Sequence, residues 1–143
     1  MRFIVLATAL ACGSCSTGSR ELAPAESSNP ALPEPGEYSL VLSPNIDPAL
    51  PNAVRLSPVT EEASGYVYGE VSPGLPPGHL FSKMSYWVVS PDGALHIRWS
   101  NGYSGIHVEL RREGAAWSGK AWRHWDFRAP EAPVVARLER VGA

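Results

Sequence analysis

Residues 84–123 read MSYWVVSPDGALHIRWSNGYSGIHVELRREGAAWSGKAWR. Four runs rich in β-branched and aromatic residues, 84–90, 94–100, 105–111 and 116–123, alternate with Pro91-Asp92-Gly93, Asn101-Gly102 and Glu113-Gly114. Short runs of that composition, bounded by such turn residues, read as strands joined by hairpins. A two-residue turn at Asn101-Gly102 sets Ile97 opposite Ile106 and Leu95 opposite Val108. A turn at Glu113-Gly114 sets Leu110 opposite Trp117, Val108 opposite Gly119 and Ile106 opposite Ala121. The Pro91-Asp92-Gly93 turn sets Val88 beside Leu95 and Tyr86 beside Ile97. All three turns then gather Tyr86, Val88, Leu95, Ile97, Trp99, Ile106, Val108, Leu110, Trp117 and Ala121 on one face. A slip of one residue would destroy that agreement, because side chains alternate along a strand.

Working outward, similar runs occur at 37–43, 53–59, 65–71 and 133–140, the last adding Val134, Ala136 and Leu138 to the apolar face. Pro58 falls inside the second run, which demotes it to an edge or splits it. Pro (14) and Gly (13) are too frequent in 143 residues for a coiled coil or an all-helical bundle. Eight short strands in sequence predict an all-β fold, an antiparallel up-and-down meander closing into a small barrel, with a β-sandwich as the alternative. The length suits one domain, 36–143, with a real core.

The chain opens Met1-Arg2, continues without charge from Phe3 to Ala11, and reaches Cys12-Gly13-Ser14-Cys15. A basic start, a short apolar run and small residues form an export signal, too short to span a bilayer. This leader resembles that of a bacterial lipoprotein, in which a small residue precedes a cysteine that is lipidated and becomes the mature N-terminus. Ala9-Leu10-Ala11-Cys12 carries the resemblance, with Cys15 as the second candidate; cleavage after Ala11 without lipid is the simpler alternative. The resemblance covers residues 1–15 and implies an exported protein anchored to a membrane of the cell envelope by its lipid. No cysteine follows Cys15, so the domain is not disulfide-stapled. Residues 16–35, STGSRELAPAESSNPALPEP, lack apolar periodicity and read as a disordered tether.

The same register places Trp87, His96, His107 and Lys120 in one outward row. A second row holds Ser85, Arg98, Gly105 and Trp122, and a third Val89, Ala94, Glu109 and Ser118. Tryptophans among charged groups offer stacking area and hydrogen bonds, so Trp87, His96, Arg98, His107, Glu109, Lys120 and Trp122 are candidates for a binding face. The competing reading is a solvated barrel wall, on which Arg and Lys stems lie over indoles. Facing imidazoles at 96 and 107 are metal-ligand candidates, with Glu109 or His124 as a third donor, although zinc wants three or four ligands.

Catalytic patterns fail. Gly114-Ala-Ala-Trp-Ser-Gly119-Lys120 matches the start of a phosphate loop, but Ala121 stands where Ser or Thr should follow, and no helix does. Glu61 and Glu62 are adjacent and point to opposite faces of a strand. The formal charge of −2 argues against nucleic acid. The expectation is a non-catalytic module without a cofactor, binding a small ligand, a glycan or a protein. The alternatives are a partner-binding role, similar in layout to barrel-type envelope lipoproteins that inhibit lysozymes but without an intact motif of that group, and a histidine-based metal protein or enzyme.

Overall fold

The computed structural model describes residues 30–142. Eight strands follow one another: β1 (Gly36–Ser43), β2 (Ala53–Ala63), β3 (Tyr66–Ser72), β4 (Met84–Val89), β5 (Leu95–Ser100), β6 (Gly105–Glu113), β7 (Ala116–His124) and β8 (Val134–Arg140). Each pairs antiparallel with its neighbours in sequence, and β1 pairs with β8 through Leu40↔Leu138, which closes the barrel. The up-and-down meander expected from the hairpin pattern is therefore the fold. Closure leaves no free sheet edge. The leader, Cys12, Cys15 and the first part of the 16–35 tether lie outside the described residues. Residues 30–35 pack against the barrel: Pro33 is buried, the Tyr38 hydroxyl donates to the Glu34 carbonyl at 2.7 Å, and Arg140 pairs with the Glu34 carboxylate.

The turns set a register that differs from the sequence reading in an instructive way. In the β5–β6 hairpin Ile97 pairs with Val108 and Trp99 with Ile106, two residues along from the expected partners. The reason is that Asn101 is not a central turn residue. Its Oδ1 accepts from the N–H groups of Tyr103 and Ser104, and Gly102 takes the first central position at φ 103°. The β6–β7 hairpin repeats this with Gly114 at φ 63°, so Leu110 pairs with Gly119 and Val108 with Ala121. A shift of two keeps every side chain on its face.

The β4–β5 hairpin shifts by one. Ser90 N–H donates to the Ala94 carbonyl and Gly93 N–H to the Ser90 carbonyl, with Gly93 at φ 83°. That three-residue loop, a turn followed by a left-handed glycine, pairs Val89 with Leu95 and Trp87 with Ile97. Trp87 and Val89 therefore point inward, and Tyr86 and Val88 outward. Trp87 is 1% exposed and packs its ring over Gly69, its direct partner on β3. Trp87, Trp99, Ile97, Val108, Leu110 and Leu138 fill the barrel axis, all at 1% exposure or less. Neither buried indole N–H, Trp87 Nε1 or Trp99 Nε1, has a hydrogen-bond partner.

Pro58 stays within β2 because pairing with β3 is irregular there, between Leu56↔Val71 and Val59↔Gly69. The Ser57 hydroxyl supplies the acceptor that Glu70 N–H needs, at 2.7 Å. Up-and-down order gives the barrel two unlike ends. The base carries the short turns after β2, β4 and β6 and both ends of the domain. The rim carries the segments 44–52, 73–83, 101–104 and 125–133. Leu75 and Phe81 plug the rim from above, with Ile46, Leu50 and Trp125 packed on the same core.

Candidate functional site

The outer wall of β4–β7 holds most of the candidate residues, in rows set by the observed pairing. One row runs Tyr86, Arg98, His107, Trp122; the next runs Val88, His96, Glu109, Lys120. His96 thus lies directly opposite Glu109 rather than His107. The two imidazoles meet diagonally, with His96 Nδ1 2.9 Å from His107 Nε2. The His107 ring also packs on Trp122, centroids 4.3 Å apart, and the Lys120 ammonium lies 5.4 Å from the centroid of the same indole. Trp87 leaves the binding-face set, because the one-residue shift at Gly93 turns it into the core.

A hydrogen-bonded chain fixes the protons on this wall. Asp92 is an anion, held well below the usual carboxylate range by the Ser90 hydroxyl, by Arg111 at 2.6 Å and by the Ala94 N–H. It accepts the Ser90 hydroxyl proton. Ser90 Oγ, 3.3 Å from His96 Nε2, then serves as acceptor, so His96 carries its proton on Nε2. His96 Nδ1 must accept from His107 Nε2–H. Ser90, His96 and His107 share the order of a nucleophile–base–orienter triad, but the polarity is reversed: the imidazole donates to the serine and cannot take its proton. Burial, then Arg98 and His96, lowers the His107 pKa to about 3. Burial also lowers His96, with Glu109 opposing. Both rings are neutral near pH 7, and each spends its facing nitrogen on the other. Among the described residues, no group of three or more metal-ligating side chains converges.

Beside this pair, toward the rim, lies an open groove of about 330 Å³. Tyr86, Arg98, His107, Trp122 and His124 line it, together with the 101–104 turn that bears Tyr103. That volume sits at the lower end for small-molecule sites. No Asp or Glu lines it. With His107 neutral, the fixed positive charge is the exposed guanidinium of Arg98, which makes no ion pair or hydrogen bond among the described residues. Tyr103 is 74% exposed. Across the row, Tyr86 and Trp122 are three strand spacings apart, about 14 Å.

At the rim a separate polar cluster ties the covering loops together. Asp47, 6% exposed, accepts from His79 Nε2 and from Arg123, each at 3.2 Å, and from the Ala49 N–H at 3.0 Å. Phe81 N–H donates to His79 Nδ1, which leaves the ring proton on Nε2, facing the carboxylate. Burial alone would raise the Asp47 pKa; the Ala49 N–H, Arg123 and His79 outweigh it and lower the value. Glu131 joins at the margin, 3.7 Å from Arg123, and accepts from Trp125 Nε1 at 3.1 Å. These bonds hold 44–52, 73–83 and 125–133 over the barrel mouth. The Arg128 guanidinium lies over the Trp125 ring, 4.1 Å from its centroid, while Phe127 in the same loop is 96% exposed.

Of the sequence candidates, Arg98, His107 and Trp122 come together in the groove. His96, Glu109 and Lys120 form the adjoining row, with Lys120 3.8 Å from Glu109. Tyr86 and Tyr103 were missed as site residues. The signal for Tyr86 was the left-handed glycine of the Pro91-Asp92-Gly93 loop, which changes the loop length by one. The Asp47–His79 pair, 32 residues apart, has no local signal. The Gly114–Lys120 segment spans the β6–β7 turn and strand β7, with no helix to receive phosphate. Comparison with protein-family models, with curated proteins and with solved structures finds no match for this chain.

Proposed function

We propose that the protein is an exported lipoprotein of the bacterial cell envelope, and that its barrel is a non-catalytic binding module whose ligand occupies the wall groove beside Arg98. The observation that carries this reading is an unpaired, exposed guanidinium set among aromatic side chains in a groove without carboxylates. The chain enters the barrel at its base, through residues 30–35, and leaves the groove beside Arg98 open. Mass spectrometry of the mature protein from membranes is the test: acyl chains on an N-terminal Cys12 or Cys15 are expected. A free amine after Ala11 and recovery in the soluble fraction would overturn the anchor. A protein partner is the second reading, favoured by Leu80, Tyr103 and Phe127, which stand 58%, 74% and 96% exposed on the rim. Tyr103 and Phe127 are the two most exposed large hydrophobic side chains among the described residues, and both stand at the rim.

A further inference from the structure

We infer that the wall groove recognises a carboxylate, carried on a ligand with a flat ring face. The inference rests on the groove being the binding site proposed above and names what it takes. Arg98 presents a planar fork of donors whose geometry matches a carboxylate bidentately. Elsewhere on this wall the cations meet acids: Lys120 lies 3.8 Å from Glu109, and Arg111 bonds Asp92 of the β4–β5 turn at 2.6 Å. Arg98 has Tyr86 and His107 as its direct partners instead, neither of them an anion. The groove thus holds one uncompensated positive charge and no competing negative one. Its other surfaces suit rings: Tyr86 lies directly beside Arg98, and the exposed Tyr103 lines the groove. Trp122 is already packed against His107 and Lys120, whereas neither Tyr86 nor Tyr103 has an aromatic or cationic group stacked on it among the described residues. A sugar acid and an aromatic acid share this chemistry.

The test is an amide NMR titration of the full chain with three probes: trigalacturonate, its fully methyl-esterified form, and 4-hydroxybenzoate. The free acid should shift amides of Arg98, Tyr103 and His107, and the ester should bind at least tenfold more weakly. Arg98→Gln should weaken binding ten- to a hundredfold, the worth of a charge-assisted bidentate bond. Arg98→Lys should recover part of that, and Arg137→Gln on β8 should change nothing. Tighter binding of the trisaccharide or of the aryl acid identifies the source. Equal affinity for acid and ester, or binding indifferent to Arg98→Gln with the fold intact by circular dichroism, overturns the carboxylate and leaves the groove as a neutral-ligand site. No shift with any probe overturns the carboxylate as well, while the acyl measurement on Cys12 or Cys15 stands apart from it.

Discussion

Gly69→Ala tests which way Trp87 points, and with it the assignment of the whole β4 wall. A methyl built on Gly69 stands 2.2 Å from Trp87 Cε2 and Nε1 and 2.4 Å from Cζ2. Carbon atoms in contact sit about 3.5–4 Å apart. The indole would have to retreat by more than about 1 Å. It has nowhere to go, because Ile97 and Val89 around it are 0% exposed. Overpacking of this kind costs about 1–3 kcal/mol, and three ring atoms on a rigid side chain place it high in that range. The lost backbone freedom of glycine in the unfolded chain returns roughly 0.5–1 kcal/mol, leaving a net loss of about 1–2 kcal/mol. Urea unfolding followed by circular dichroism measures it. Trp87→Leu alone should cost about 2–4 kcal/mol as a buried large-to-small change. In that background Gly69→Ala should fall close to neutral, a coupling of about 1–2 kcal/mol between direct neighbours. Were Trp87 on the outer wall, both single changes would lie within about 0.5 kcal/mol of wild type and would add. That result would refute the inner-face assignment.

Acid should destabilise the domain from an unusually high pH. His107 stays neutral in the fold down to about 3, whereas the unfolded chain takes up its proton near 6.5. The unfolded state therefore binds more protons as pH falls below 6.5, and stability declines by up to ~1.4 kcal/mol per pH unit toward 3. His96 is lowered as well and acts with the same sign. Urea midpoints at pH 7.5, 6.5 and 5.5 should fall, and His107→Gln should flatten the slope; a flat wild-type profile would count against a neutral buried ring. Asp47→Asn should cost about 2–4 kcal/mol, since Arg123 and His79 lose their shared buried anion. Hydrogen exchange should then speed up in 44–52 and 73–83 before it does in β5 or β6, and uniform exchange would argue against a latch. Phe127→Ser should leave stability within about 0.5 kcal/mol, because that ring is 96% exposed; a larger loss in thermal unfolding would place the side chain in a contact.

The architecture was readable because each strand run is short and ends in a residue that reverses the chain. Eight runs in order, with apolar residues alternating inside them, leave few solutions other than a meander whose ends meet. Register was less readable, since it depends on which turn position a glycine takes. Gly102 and Gly114 look like second central residues when read with Asn101 and Glu113 before them, yet both occupy the first. Their hairpins slide by two, and faces survive. Gly93 instead adds a left-handed residue after a Pro91-Asp92 turn, and β4 inverts. Local sequence does not separate these cases well, because an alternating strand such as Tyr86-Trp87-Val88-Val89 offers an apolar residue to either face.

The same arithmetic explains the state of the candidate site. Residues on β5, β6 and β7 kept their outward face, so Arg98, His107 and Trp122 stayed neighbours despite the changed register. Sliding β6 by two moved His107 from beside His96 to beside Arg98 and put Glu109 in its place. Had the rings been direct partners, Glu109 would have stood opposite Ala94 instead of His96. On the diagonal, the imidazole reaches back to His96 while its backbone position brings it under Trp122 and against a guanidinium. Burial disfavours a protonated ring there, and Arg98 beside it adds like-charge repulsion. Neutrality follows from the slide, and it leaves Arg98 as the charge a ligand entering the groove would meet. Inversion of β4 completes the arrangement by exchanging Ser85 for Tyr86 in the Arg98 row, which puts a phenol rather than a small hydroxyl beside the guanidinium.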